Sequence, residues 1–234
     1  MTYAEFQTHT DERRGGLAQL GVGEDDVVAV IANNRPEWAV GAYATYGLAA
    51  RYCPMYESQP AKEWQYILAD SGAKVCIAAN EEIRQTLEGV RSECPALEHI
   101  VVLGESDAAE LTYDDVRAKG RAKPAPLAKP GGDHIAGFIY TSGTTGKPKG
   151  VLLSHRNLAS NVSAMHEVFP MWNDDRSLSF LPWAHSFGQT VELHGLLSMG
   201  ASMGIAESVP KIVENLSEVR PTLLFCVPRI FNKI

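Results

Sequence analysis

Residues 140–150, with the sequence YTSGTTGKPKG, have the composition of a phosphate-binding loop. Glycine has no Cβ atom, so Gly143, Gly146 and Gly150 let backbone amides approach an anion closely. The remaining side chains add hydroxyl donors and positive charge. They are Thr141, Ser142, Thr144, Thr145, Lys147 and Lys149. A plain surface turn would explain the glycines but not this group of donors, so the segment is predicted to bind phosphate.

Two common phosphate motifs do not match these residues. A Walker loop needs a serine or threonine after its lysine, whereas Pro148 follows Lys147. The G-x-G-x-x-G spacing of a dinucleotide site is also missing here. Apolar residues at 135–140 and 151–153 predict two strands, and Pro148 opposes a helix start. We therefore predict a strand, a loop and a second strand, without the helix N-terminus of the nucleotide kinases.

Composition indicates a globular protein. The chain has 234 residues, 45% of them hydrophobic, which is enough for one large domain or two small ones. Its formal net charge of −7 argues against nucleic-acid binding. No apolar run reaches the length of a transmembrane helix, and the start lacks the apolar core of a secretory signal. The four cysteines are scattered, which is typical of reduced thiols in a cytoplasmic protein.

Strand-like and helix-like stretches alternate along the chain, which predicts an α/β fold with a parallel sheet and helices on both faces. In the first half, strands are predicted at 27–32, 75–79 and 100–103, with helices from Pro36, from Pro60 and at 81–90. Residues 119–133, rich in proline, glycine and cationic side chains, are predicted to form an exposed connector.

The second half continues the alternation. A helix capped by Ser154 is predicted to bury one face made of Leu158, Val162, Met165 and Phe169. Strands are then predicted at 178–181, 201–206 and 222–227, with helices at 187–197, at 212–219 and from Pro228.

The stretch 141–150 resembles the phosphate-loop signature of the adenylate-forming superfamily, which comprises acyl-CoA synthetases, nonribosomal adenylation domains and luciferases. Other blocks resemble that superfamily in the same order. They are TYAEF near the start, NNRPEWAVGAYATYGLAARYCPMY from Asn33, LPWAHSFGQTVELHG from Leu181 and VRPTLLFCVPRIFNKI from Val219. The last two look most like long-chain fatty-acid–CoA ligases, so the resemblance covers nearly the whole chain.

This resemblance implies stacked parallel-sheet subdomains, one formed by residues 25–168 and the other by 1–24 with 169–234. It implies ATP, Mg²⁺ and coenzyme A as cosubstrates and cofactor. The implied reaction has two steps: a carboxylate attacks the α-phosphorus of ATP with release of pyrophosphate, and the thiol of coenzyme A then takes the acyl group from the acyl-adenylate with release of AMP. By the same resemblance, Thr141 would coordinate Mg²⁺ or bind phosphate, residues 142–146 would wrap the pyrophosphate, and Lys149 would contact it. Lys147 occupies a variable position of the family.

The block from Leu181 is the second predicted site. The resemblance places Trp183, His185, Phe187 and Gly188 at the substrate cleft, with Gln189 near the mouth of the acyl tunnel. Without it, His185 would be interpreted as a structural histidine at a strand–helix junction. The spacing of His185, Glu192 and His194 does not suit a zinc site, so the last two are interpreted as solvated helix positions. No G-x-S-x-G elbow supports a hydrolase.

The family's adenine-binding motifs, acidic magnesium ligand and C-terminal domain with the adenylation lysine are not found among these residues. We therefore expect a truncated portion of a fatty-acid–CoA ligase without a complete catalytic set, inactive on its own. The alternatives are a noncatalytic nucleotide- or acyl-binding α/β module and a ligase for another carboxylate. The partners expected for the parent are a fatty acid or other carboxylate, ATP and coenzyme A, with peripheral membrane contact as a further option.

Overall fold

The structure, a computed structural model, describes residues 1–141 and 146–228. It divides into two compact units, the first formed by residues 1–156 and the second beginning at Asn157. Each unit contains strands and helices, which confirms the α/β class predicted from the sequence.

A seven-stranded sheet forms the centre of the first unit. The strands lie in the order β5-β4-β3-β1-β2-β6-β7, and all neighbours are parallel except β6 and β7. Their bounds are β1 Val27–Ile31, β2 Arg51–Met55, β3 Ala73–Ala78, β4 His99–Val102, β5 Leu111–Thr112, β6 Ile135–Thr141 and β7 Lys149–Ser154. Every residue of β1 is buried, as expected for a central parallel strand.

One α-helix precedes these strands and four connect them. They are α1 Tyr3–Gln19, α2 Pro36–Tyr46, α3 Ala61–Ser71, α4 Glu81–Val90 and α5 Tyr113–Ala122. Local chemistry fixes where several of them start. Thr2 and Thr112 each form a capping box with the acidic residue three positions later, and the Asn80 side chain accepts from the Ile83 amide. Proline stands at the first position of α2, where its missing N–H costs nothing.

Helix α1 packs against α5 at very short distance. A Cβ atom on Gly16 would lie 2.0 Å from the Val116 carbonyl oxygen, and one on Gly120 would lie 1.6 Å from the Glu12 carbonyl oxygen. These glycines therefore let the two backbones touch. Residues 1–19 thus belong to the first unit, so the division into compact units differs from the expected subdomains, which placed 1–24 with the second.

The predicted connector at 119–133 is wrong in its first four residues. Helix α5 continues to Ala122, and Gly120 is buried against α1. The physical reason is the same close contact: the glycine that suggests a loop in the sequence is needed inside a helix. The rest of the stretch, 123–132, contains no helix or strand.

The second unit contains a smaller sheet. Strands β8 (Arg176–Ser179) and β9 (Ser202–Ile205) are parallel neighbours, and Leu223 adds a single parallel bridge to Ser177 in place of the strand predicted at 222–227. The helices are α6 His155–Val168, a π-helix Gly188–Gly195, α7 Leu196–Met199 and α8 Ile212–Val219. Beyond Pro228, the last predicted helix lies outside the described residues.

The predicted buried face of α6 is correct only in part. Met165 is buried, Leu158 and Val162 are half-buried, and Phe169, just past the helix end, is 56% exposed. Among the described residues, none of the helices combines the length and apolar character required to cross a bilayer.

Candidate functional site

The predicted phosphate loop connects β6 to β7. In the antiparallel register, Thr141 lies opposite Lys149 and Tyr140 lies opposite Gly150, so the two ends of the loop are held side by side. The two strands predicted on either side of the loop are confirmed. Because β6 is also paired with β2 inside the sheet, the loop is anchored on a rigid element.

The described residues around the loop present donors to solvent. Thr141 and Lys149 are both exposed. Gly146 has a φ of +94°, a left-handed conformation that favours glycine, and no atom lies within 4 Å of where its Cβ would be. Four of the predicted phosphate ligands, Ser142, Gly143, Thr144 and Thr145, lie outside the described residues.

Helix α3 contacts both sides of the loop. The Tyr140 hydroxyl donates to Asp70 Oδ2 at 2.7 Å, and Lys147 Nζ lies 5.5 Å from the centroid of the Tyr66 ring. Burial, and next the hydrogen bond to Asp70, raise the pKa of the Tyr140 phenol, which keeps it protonated as a donor. Tyr66 and Asp70 are not predicted from the sequence as part of this site. No local spacing connects them to a loop about seventy residues away.

The second predicted site, residues 181–189, follows β8 and extends into the first two residues of the π-helix. Trp183, Gly188 and Gln189 are buried, whereas His185 and Phe187 are exposed. The Phe187 amide donates to His185 Nδ1 at 3.2 Å, which fixes the imidazole against its own turn. A Cβ on Gly188 would lie 2.4 Å from the Pro182 carbonyl oxygen, so this turn requires glycine.

The interpretation of Glu192 and His194 as solvated is wrong. Glu192 is completely buried and His194 is 7% exposed. Both lie in the π-helix, whose wider turn points other positions inward than an α-helical spacing predicts. The Ser179 hydroxyl donates to Glu192 Oε2, and Trp183 Nε1 donates to Ser179 Oγ at 3.1 Å. The structure thus connects the predicted pocket residue Trp183 to a buried acid.

Burial raises the pKa of Glu192 to about 7, and hydrogen bonds from Ser179, Leu181, Phe180 and Trp183 lower it by less. The folded protein therefore retains a proton that the unfolded chain, with a glutamate pKa of 4.5, releases. We expect the free energy of unfolding to fall by up to about 1.4 kcal/mol per pH unit between these two values and to level off above them. The full contribution is present below the unfolded pKa.

This pH dependence is measurable by urea denaturation of the wild type and Glu192→Gln across the same window. The variant cannot ionise, so the difference in unfolding free energy between the two proteins should change with pH. Glu167→Gln, on the exposed surface of α6, is the control and should leave the profile unchanged. A difference between wild type and Glu192→Gln that stays constant with pH would contradict the assignment.

Side chains of the described residues offer few ligands for a metal ion. Within residues 1–141 and 146–228, no cluster of three or more histidine, cysteine, aspartate or glutamate side chains could hold an ion. The Thr141 hydroxyl offers one exposed oxygen at the end of β6. Mg²⁺ is commonly bound by few protein oxygens together with substrate phosphates and water, so this donor fits a magnesium ion that enters with a nucleotide.

The fold and the comparison with known families place the chain among the adenylate-forming enzymes. The model of the family described as "AMP-binding enzyme" matches residues 1–234, and the chain belongs to this family. The identification made from the sequence is confirmed.

The curated relatives are much longer proteins. The peroxisomal long chain acyl-CoA synthetase 7 of Arabidopsis thaliana is 28% identical over the whole chain, which covers 35% of that protein. The long-chain-fatty-acid–CoA ligase FadD15 of Mycobacterium tuberculosis is 29% identical, again over the whole chain and 40% of its own length. The chain thus spans between one third and two fifths of these relatives.

Solved structures share the fold. The anthranilate CoA ligase AuaEII, in complex with anthranoyl-AMP, superposes with a TM-score of 0.88 at 25% identity, over 99% of this chain and 45% of that one. ATP-bound MatB from Rhodopseudomonas palustris superposes with a TM-score of 0.82 at 25% identity, over 99% of this chain and 45% of that one. Both comparisons confirm the fold class expected from the sequence.

Proposed function

We propose that this chain is part of an ATP-dependent long-chain fatty-acid–CoA ligase and that it holds the phosphates of ATP and part of the acyl substrate. The observation that carries the proposal is the hairpin in which Thr141 and Lys149 face each other across a glycine-containing loop. The names of the long-chain relatives support the substrate class. The proposed reaction forms acyl-adenylate with release of pyrophosphate, followed by transfer of the acyl group to coenzyme A.

The loop residues have separate tasks in this proposal. Backbone amides of 142–146 surround the pyrophosphate, Lys149 compensates its charge, and Thr141 donates to phosphate or ligates Mg²⁺. Magnesium, when bound, would neutralise phosphate charge. Phosphoryl chemistry depends chiefly on positioning and charge, so a loop anchored through β6 suits the task.

Residues 181–189 are proposed to line the substrate cleft. The buried Trp183, Gly188 and Gln189 would form its wall, with Gln189 near the tunnel mouth. The exposed His185 and Phe187 would meet the adenylate or the acyl group. The exposure of both side chains in the turn that precedes the π-helix supports this role.

Nucleotide binding by the loop is testable with three single variants. Thr141→Ala and Lys149→Ala should each weaken binding of ATP with Mg²⁺ by about tenfold or more, since hydrogen bonds to charged groups contribute roughly 1.5–3 kcal/mol. Lys147→Ala should have a smaller effect, because Lys147 Nζ already lies over the Tyr66 ring. Isothermal titration calorimetry measures all three. Equal losses for Lys147→Ala and Lys149→Ala would contradict the assigned roles.

The isolated 234 residues are proposed to be inactive, because the chain covers only 35–40% of the relatives described above. Pyrophosphate release with ATP, Mg²⁺ and a long-chain fatty acid tests this, and turnover by this chain alone would disprove it.

A ligase for another carboxylate is the alternative function, supported by the likeness to AuaEII with anthranoyl-AMP. A screen of carboxylates with the complete protein separates the two.

Cellular location and membrane contact remain proposals. The sequence favours the cytoplasm, but one relative is named as peroxisomal. Coenzyme A as acceptor and peripheral membrane contact of the complete protein belong to the same proposal.

A further inference from the structure

Three segments of the second unit meet at one buried carboxyl group. Ser179 ends β8, Trp183 lies in the following turn, and Glu192 lies in the π-helix. Their exposed fractions are 0%, 2% and 0%, respectively. The hydrogen bonds run from the Trp183 indole to the Ser179 hydroxyl and from that hydroxyl to the Glu192 carboxyl. The three side chains therefore form a continuous buried chain.

The backbone next to Trp183 is held by the same carboxyl group. Hydrogen bonding by the main chain of Phe180 and Leu181 also lowers the pKa of Glu192. A buried carboxyl group is costly unless its oxygens are hydrogen-bonded. Oε2 accepts from the Ser179 hydroxyl, whereas Oε1 has no hydrogen-bond partner within the described residues. Removing the acid would leave these donors without their acceptor.

We propose that Glu192 is a positioning residue, which fixes the indole of Trp183 through the Ser179 hydroxyl and so sets the shape of the turn 181–189. This inference rests on the proposed function, in which that turn lines the substrate cleft. Glu192 does not need to touch substrate in this role. It acts through Ser179 and through the amides at 180 and 181, whose orientation determines where Trp183, and after it His185, can lie.

The charges around Glu192 are few. All the groups that hydrogen-bond to it are neutral. Cys226, from the segment after the Leu223 bridge, faces it closely enough that the Glu192 charge contributes to raising the Cys226 pKa, after burial. His194 follows two positions later in the same π-helix and is buried. No cation is among the groups that chiefly set the Glu192 pKa within the described residues. Ionisation of Glu192 would therefore change the hydrogen-bond chain, and Trp183 should report the change.

The decisive comparison uses two serines of the same strand. Ser177 and Ser179 are both completely buried in β8, but only Ser179 bonds to Glu192 and Trp183. The emission of Trp183 is obtained as the difference between each protein and the same protein with Trp183→Phe. We expect Ser179→Ala and Glu192→Ala to red-shift this emission and Ser177→Ala to leave it in place. Circular dichroism identifies any variant that fails to fold.

A pH titration adds a readout that a purely structural role would not change. Trp183 emission in the wild type should follow the ionisation of Glu192, and Glu192→Gln should abolish that titration while keeping the emission maximum near the wild-type value. An identical titration in both proteins would overturn the proposal, as would equal emission from Ser179→Ala and Ser177→Ala.

The effect of the variants on the substrate cleft is measured separately, as binding affinity for palmitoyl sulfamoyl adenosine, a nonhydrolysable adenylate probe. Ser179→Ala should weaken its binding about fivefold, consistent with loss of one hydrogen bond, and Ser177→Ala should not. Unchanged affinity in Ser179→Ala, with a shifted emission, would overturn the link from Trp183 to the cleft. If the wild type does not bind the probe, the proposed function fails for this chain, whereas the fluorescence results still decide whether Glu192 positions Trp183.

Discussion

Replacing Gly120 by alanine is expected to destabilise the first unit by more than about 4 kcal/mol or to prevent its folding. The added Cβ would lie 1.6 Å from the Glu12 carbonyl oxygen and 2.6 Å from the Gly16 nitrogen, both of them backbone atoms that no rotamer change can move. Overpacking a core usually costs about 1–3 kcal/mol, and a clash between two helix backbones lies beyond that range. Helices α1 and α5 would have to separate.

Separation of these helices would also break polar contacts at their crossing. The Arg13 guanidinium is fully buried 4.6 Å from the centroid of the Tyr113 ring, and Arg117 forms an ion pair with Glu12 at 2.7 Å. Burial lowers the pKa of Arg13 to about 10, so helix separation would relieve part of the desolvation cost of this charge. The lost Arg117–Glu12 ion pair and Arg13–Tyr113 contact nevertheless add to the steric clash.

Gly89→Ala is the matched control for this substitution. Gly89 lies in α4, and no atom is within 4 Å of where its Cβ would be. Alanine favours a helix over glycine by about 1 kcal/mol, so this variant should equal or exceed wild-type stability. Chemical denaturation followed by circular dichroism measures both variants. If Gly120→Ala were as stable as Gly89→Ala, the helices would not pack as closely as described.

The same crossing explains why sequence reasoning does not predict α1. The run Arg13, Arg14, Gly15 and Gly16 has no apolar face for periodicity to detect, and its two glycines are poor helix formers. All four residues are nevertheless buried in the structure. Tertiary contact with α5 supplies what local propensity lacks, and that contact joins residues about a hundred positions apart.

Strand β2 is not predicted for a related reason. Pro54 interrupts the run Arg51–Met55, and proline within a strand normally argues against a central position. Here β2 lies between β1 and β6, with Pro54 opposite Val30 in a parallel register. By contrast, β1, β3 and β4 are predicted almost to their ends. Their apolar runs identify them as strands without knowledge of the neighbouring strands in the sheet.

The candidate site shows the same division between local and long-range information. The strands that flank the phosphate loop are predictable from their own residues and from Pro148. The contacts of the loop with Tyr66 and Asp70 are not, because they depend on how α3 lies against the hairpin. Glu192 is misinterpreted from sequence because its spacing is judged at 3.6 residues per turn, and the π-helix does not obey that rule.

Replacing Gly137 by alanine is expected to cost more than about 3 kcal/mol and to abolish nucleotide binding as well. Gly137 is the residue of β6 that pairs with Tyr52 of β2, and a Cβ there would lie 2.2 Å from the Tyr52 carbonyl oxygen. The clash is again with backbone, so β6 would have to leave β2. Since β6 carries the loop at its carboxyl end, this change removes the support that holds Thr141 opposite Lys149.

Gly131→Ala tests whether the effect comes from position or merely from loss of a glycine. Gly131 lies in the exposed stretch before β6, with no atom within 4 Å of where its Cβ would be. The free energy of unfolding of Gly131→Ala should stay within about 0.5 kcal/mol of the wild-type value.

Amide hydrogen exchange supplies the second measurement. Gly137→Ala should expose the amides of β6 and β7, whereas Thr141→Ala should weaken ATP binding and leave the amides of both strands protected. Retained protection of both strands in Gly137→Ala would show that β6 does not depend on β2 for its position.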